Sequence, residues 1–321
     1  MISLHLRMMV MLTILFAIVY AIVVMVGAAA GVTEFSFYFI FAVGLMAIQY
    51  LIGPKMVEWS MRVKYVGRNE QPKLYEMVED LSARAGIPMP KIGISQINIP
   101  NAFAFGRSIK DGRVCVTERI VQLLDDNELK AVLGHELSHI KNRDMLTITL
   151  LSIIPIIMYR LAWHFLFFGR RRSRDNQNTV LIGVAALLFY FITNLLVLYA
   201  SRIREYFADR GSIALGNRPE FLASALYKLV YGSARIDKQS IKESEGFKAF
   251  FLNDPSRALK EIKELSQIDI DKSGTIDSTE LAALRTRSIQ LAFGDRMMET
   301  LSTHPNMLKR IQQLSQYRIA G

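Results

Sequence analysis

Four uncharged, mostly apolar blocks constrain this chain more than any other feature. They are residues 8–30, 35–53, 145–159 and 179–201, and the third is interrupted by Arg160 before it resumes as far as Phe168. A run of about 20 such residues, wound as a helix, crosses the roughly 30 Å hydrocarbon core of a bilayer. The first, second and fourth blocks reach that length, and the third is marginal. Overall composition would not have shown this, because 51% hydrophobic residues is close to the usual soluble value of about 45–50%. The clustering carries the information. The 321 residues leave room for one large domain or two small ones around these blocks.

The first block has a second reading. Ala28, Ala29 and Ala30 resemble a small-residue cleavage site. However, the apolar run is longer than the core of a signal peptide, and another spanning candidate follows after Gly31–Glu34. A retained helix is therefore expected.

The formal net charge is +10, from 39 basic and 29 acidic residues. No basic–aromatic pattern of the kind that binds nucleic acid accompanies it, and basic residues flanking membrane segments account for the excess. The Gly31–Glu34 connection holds no Lys or Arg, whereas Lys55, Arg62, Lys64, Arg68 and Lys73 follow the second block. The bias of basic residues toward the cytoplasm puts that side inside the cell. The single cysteine, Cys115, allows no intramolecular disulfide and fits a reducing compartment.

Residues 72–85 read as an amphipathic helix, with Leu74, Met77, Val78 and Leu81 at helical spacing. The stretch GIPMP then breaks it. KIGISQI and GRVCVTE read as short strands. Between them, Phe103 and Phe105 alternate with Ala102, Ala104 and Gly106, a strand pattern with one bulky and one small face. Such a strand is either a half-buried core element or an edge that an extended peptide joins by strand addition. In the second case Asn101, Ala102, Phe103 and Ala104 would meet the substrate.

Asp125 followed by Glu128 fits a capping box. The helix it opens carries His135, Glu136 and His139. Histidines four apart project from one helix face and can share one Zn²⁺, while Glu136, one residue round, reaches a water on the metal without ligating it. A chance match on a core helix is the bland alternative. It is disfavoured because two of only five histidines fall into this spacing.

A catalytic zinc takes three protein ligands and keeps a fourth position for water. Position 145 is Met, so a third histidine six residues after His139 is absent. His5 lies before one membrane block and His164 inside another. Glu205 is the first glutamate after Glu136, just beyond the fourth block. Asp209 shares its helix face and could orient a ligating histidine. Alone, the pair would read as a solvated charged helix beside Arg202, Arg204 and Arg210. A zinc in need of a third ligand favours the functional reading.

HELSH, the four blocks, SRIREYFAD and the late STHPNMLKRI together resemble the HtpX family of membrane zinc metalloproteases, which is grouped with the prenyl-protein endopeptidases. The resemblance covers nearly the whole chain, apart from part of residues 235–285. It implies an endopeptidase of the inner or plasma membrane that degrades damaged or misassembled membrane proteins. It also implies one zinc held by His135, His139 and Glu205, with Glu136 catalytic. The fold it implies is a mainly α integral membrane protein. A helical, zincin-like catalytic unit of the gluzincin type carries a small β-sheet and is joined to two hydrophobic helical hairpins. His304 has two readings: STHP starts a helix at Pro305, or, as the family motif suggests, His304 and Arg310 line the cleft and steady substrate or oxyanion.

DIDKSGTIDSTE fits the twelve-residue EF-hand loop, with Asp269, Asp271, Ser273, Thr275, Asp277 and Glu280 at the ligand positions and Gly274 at the sharp turn. Ca²⁺ is the ion this spacing suits. Ser at the fifth position departs from the strict pattern, no second loop accompanies it, and an acidic solvated loop is the alternative.

The expected organisation is an N-terminal transmembrane hairpin over residues 1–54 and the first part of the catalytic domain over 55–144. A second hairpin, spanning or re-entrant, covers 145–201, and the rest of the catalytic domain covers 202–321. The expected partners are protein substrates, above all membrane proteins, and the lipid bilayer. Rivals are a peptidase of lipidated C-termini and a non-enzymatic membrane protein with a structural zinc and a Ca²⁺ loop.

Overall fold

The structure is a computed structural model that describes residues 35–163, 165–166, 176–234, 261–262, 265–286 and 299–317. The first apolar block with its cleavage-site reading, His5, His164 and the arginine-rich connection at 170–174 lie outside those residues. The chain divides into two units, one from residues up to Ile52 with Leu146–Ile203, the other from Gly53–Met145 with Arg204–Gly321. The described residues are mostly helical with one small mixed sheet.

Helix α1 spans Phe35–Ser60 and runs on past the apolar block, through Pro54. Strand β1 (Val63–Tyr65), helix α2 (Pro72–Ala85), and strands β2 (Lys91–Ser95), β3 (Ala102–Phe105) and β4 (Arg113–Thr117) follow. Helix α2 ends as its sequence dictates: Gly86, at φ 67°, takes the left-handed cap that a Cβ would penalise. The sheet order is β1-β2-β4-β3, with β2 and β4 parallel and both outer strands antiparallel to their neighbours.

The alternation in β3 sorts its side chains onto two cores. Ala102 and Ala104 join the main core with Val114, Val116 and helix residues Leu129, Val132, Leu133 and Leu137. Phe103 and Phe105 pack with Cys115, with Val57 of α1 and with Met61 just beyond that helix. The strand is thus at a sheet edge, as one reading had it, yet buried on both faces rather than half-buried.

Helix α3 (Glu118–Leu123) leads to α4 (Asp126–Lys141), the HELSH helix. Helices α5 (Asp144–Trp163) and α6 (Asn176–Ala214) follow, and then α7 (Pro219–Ala234), α8 (Ser278–Ala283) and α9 (Met307–Leu314). Among the described residues one helix, Val180–Ala214, is long and apolar enough to cross a membrane. Its first half leaves Leu181, Val184, Leu188, Phe191 and Leu195 exposed. These residues are three or four apart and form one open apolar stripe. Helix α9 corrects the expectation of a start at Pro305: Asn306 is the cap, accepting from the Leu308 amide at 2.9 Å, and Pro305 lies outside the helix.

Candidate metal centre and active site

Helix α4 is fixed at its start and along its flank. Asp125 accepts from the Asn127 and Glu128 amides at 2.9 and 3.0 Å, and Glu128 reaches back to the Asp125 amide at 2.9 Å. The buried Glu128 carboxylate also accepts from Ser224 and Lys228 of α7. A capping box thereby becomes a tertiary anchor.

The crossing of α4 with α6 depends on small residues. A Cβ on Gly211 would stand 2.6 Å from Ser138 Cβ, and one on Gly134 would stand 2.9 Å from Ser212 Oγ. Ser212 Oγ donates to the Ala131 carbonyl of α4 at 2.6 Å. This close approach delivers Glu205 to the histidines.

The Nε2 atoms of His135 and His139 are 3.1 Å apart. Glu205 Oε2 is 3.6 Å from the first and Glu205 Oε1 is 3.6 Å from the second. Ligands on a tetrahedron at roughly 2.0–2.1 Å from zinc stand about 3.3 Å apart, so the three groups are spaced to share one ion. Glu205 Oε2 is buried and makes no hydrogen bond among the described residues, although Arg310 Nη1 and His304 Nδ1 stand 3.2 and 3.4 Å from it as charged or chargeable neighbours. His135, His139 and Glu205 therefore form a group that can hold a metal.

Both imidazoles are aimed from behind. His135 Nδ1 lies 2.9 Å from Asp209 Oδ1, and His139 Nδ1 lies 2.6 Å from Asp144 Oδ2. A carboxylate on Nδ1 fixes the tautomer that leaves Nε2 free to ligate. Arg310, fully buried, donates to both oxygens of Asp209 at 2.6 and 3.0 Å and stands 3.2 Å from Glu205 Oε2. It braces the carboxylates from inside the protein. Burial opposes its charge, yet those carboxylates outweigh burial and push its pKa up, so it stays cationic.

His135 shows the same contest. Burial pushes its pKa down, but the Asp209 and Glu205 carboxylates raise it to about 9. For Glu136, burial dominates and raises the carboxyl pKa against the pull of the two imidazoles. That is the direction expected of a proton acceptor poised toward neutral pH.

His304 Nδ1 is 3.4 Å from Glu205 Oε2, and neither ring nitrogen makes a hydrogen bond among the described residues. Asn101, just before β3, exchanges bonds with Thr117, its amide donating to Thr117 Oγ1 and its carbonyl accepting from the Thr117 amide, each at 2.9 Å. Ala102, Phe103 and Ala104 follow on the edge strand, which packs against α4.

Sequence reasoning missed Asp144 and Arg204. Asp144 opens α5, and Arg204 Nη1 donates to its carbonyl at 2.8 Å. The available signal was an acidic residue starting the helix after HELSH. A turn intervenes, however, so helical spacing could not place it.

The acidic loop is a separate cluster, in which Asp269, Asp271 and Glu280 each offer an oxygen within 4.8 Å of the others. Asp269 accepts from the Ser273 and Gly274 amides and from the Tyr227 hydroxyl of α7. Gly274 has φ 80°, and Asp277 caps α8.

His135 and His139 on the capped helix α4 and Glu205 on α6 form a group that can hold a metal, with Glu136 beside it, the arrangement of a metallopeptidase; comparisons with known proteins identify the class. Residues 68–318 match peptidase family M48, and the chain belongs to that family. It is 52% identical over 228 residues to a protease HtpX homolog of Methanothermobacter thermautotrophicus, covering 71% of this chain and 86% of that one. A protease HtpX homolog of Moorella thermoacetica is 34% identical over 290 residues, covering 89% of this chain and 85% of that one. In fold, the chain is similar to the crystal structure of Ste24p from S. mikatae, with TM-score 0.51 and 17% identity over 99% of this chain and 67% of that one. The protein is thus a membrane-associated metalloprotease, a hydrolase acting on protein substrates, and the non-enzymatic rival is set aside.

Proposed function

We propose that this chain is a zinc endopeptidase of the gluzincin type, in which His135, His139 and Glu205 hold one zinc and Glu136 is the catalytic base. The convergence of both Nε2 atoms and the two Glu205 oxygens on one point supports this reading. When bound, zinc supplies Lewis acidity, bringing the pKa of a water to about 7 and polarising the scissile carbonyl. The Glu136 carboxylate takes the proton of the attacking water and returns it to the leaving amine nitrogen. Asp209 and Arg310 hold the ligands in place, and His304, 3.4 Å from Glu205 Oε2, steadies the substrate or its oxyanion. An extended substrate pairs along Asn101, Ala102, Phe103 and Ala104.

In this proposal the substrates are damaged or misassembled membrane proteins, the chain is multi-pass, and the catalytic domain (residues 55–144 and 202–321) faces the cytoplasm. Glu136→Gln should keep its zinc and lose cleavage of an unfolded protein such as casein by 10²-fold or more, the scale of general-base loss. Wild-type turnover by that variant would remove Glu136 from the mechanism. A preference for prenylated peptides over casein would instead favour the lipidated-substrate rival.

A second reading concerns the loop at 269–280, which we propose as a Ca²⁺ site. The grouped oxygens of Asp269, Asp271 and Glu280 support it, with Ser273, Thr275 and Asp277 at the remaining ligand positions. Calorimetry on the full chain should show Ca²⁺ uptake that Glu280→Gln weakens. No uptake at millimolar Ca²⁺ removes the site.

A further inference from the structure

We propose that Asp144 is the positioning residue of His139, and that Arg204 holds Asp144 in place, so that both ends of the apolar 145–203 segment are built into the metal site. The inference rests on the reading that His135, His139 and Glu205 hold zinc, and it concerns how the second ligand is aimed. Each ligating imidazole has its own carboxylate on Nδ1, Asp209 for His135 and Asp144 for His139. The two supports differ in origin. Asp209 sits one turn beyond Glu205 on α6 and is clamped by Arg310. Asp144 is the first residue of α5, the helix that opens the apolar segment.

Two features hold Asp144 at that point. Arg143 adopts φ 55°, a left-handed conformation that the Cβ of a non-glycine residue disfavours. That turn brings the chain back so that Asp144, 6% exposed, faces His139. Arg204, immediately before Glu205, then donates Nη1 to the Asp144 carbonyl at 2.8 Å. The residue that enters the apolar segment is therefore tied to the residue that leaves it, and both flank metal ligands. A shift at either end of the segment moves the carboxylate that sets the His139 tautomer and the direction of its Nε2.

The test is zinc affinity, measured by chelator competition on the full chain in detergent, together with thermal melting of the metal-stripped variants. Loss of such a carboxylate typically weakens metal binding 10–100-fold, and that is the loss expected for Asp144→Leu. Asp144→Asn keeps an acceptor oxygen for Nδ1 and should lose only several-fold. Arg204→Gln should weaken binding in the same direction without touching any ligand. A folded Asp144→Leu with wild-type zinc affinity overturns the proposal. If that variant does not fold, wild-type affinity in Asp144→Asn does so instead. His139→Ala separates the two levels: wild-type affinity there removes the ligand assignment itself, whereas loss there beside unchanged Asp144 variants removes only the positioning role.

Discussion

His135 shows how one residue sets conditions for the whole site. In an unfolded chain its pKa is about 6.5, and in the folded, metal-free site Asp209 and Glu205 raise it to about 9 against burial. A group whose folded pKa is raised stabilises most below its unfolded value, and that stabilisation disappears as pH rises through the folded value. The metal-stripped protein should therefore melt at a lower temperature near pH 9.5 than near pH 6.5. Zinc must displace the same proton, so its apparent affinity should climb by up to about tenfold per pH unit between 7 and 9. Melting curves and competition titrations across that range check both. A flat affinity profile would mean that the imidazole is already neutral at pH 7.

At the scale of elements, the site depends on how closely two helices pass. Gly211 lies against Ser138 with no space for a methyl group. Gly211→Ala must spread the crossing or twist Ser138, and overpacking of this kind costs about 1–3 kcal/mol. The spread would also withdraw Glu205 from the imidazoles, so zinc content should fall together with melting temperature. Unchanged zinc content with a lowered melt would show that the crossing serves stability alone. Helix α2, helix α4 and the strands were legible in the sequence because each is bounded by local chemistry: a left-handed Gly86, a capping box at Asp125, β-branched runs. The 39 residues of α6 were not. An apolar block reports where a membrane-compatible stretch lies, but here the hydrogen-bonded helix continues beyond it through Glu205 and Asp209 to Ala214, where Gly216 at φ 91° and the Asn217 amide donating to the Ser212 carbonyl close it. The start of α9 was misplaced for a similar reason, since Pro305 tolerates a first turn but Asn306 supplies the cap.

At the scale of the whole molecule, the exposed face and flanking charge of the apolar segment bear on its path through the bilayer. The exposed stripe from Leu181 to Leu195 suits contact with lipid along most of a bilayer's depth, although Arg170, Arg171, Arg172 and Arg174 in the preceding connection run against the usual charge bias. On the multi-pass proposal, a cysteine placed at Asn176 in a Cys115→Ser background should react with an impermeant maleimide from outside intact cells. Reaction only after the membrane is opened would make the segment re-entrant.

By itself, the sequence determined the paired histidines and the glutamate beside them, because helical spacing puts positions i and i+4 on one face whatever surrounds them. It also marked the apolar blocks, since charge-free length is a one-dimensional property. Tertiary structure alone decided what completes the site. Arg310 reaches Asp209 from 101 residues away, and Asp144 meets His139 only because a strained turn and Arg204 bring it there. Such pairings depend on packing across distant segments, and no local pattern encodes them.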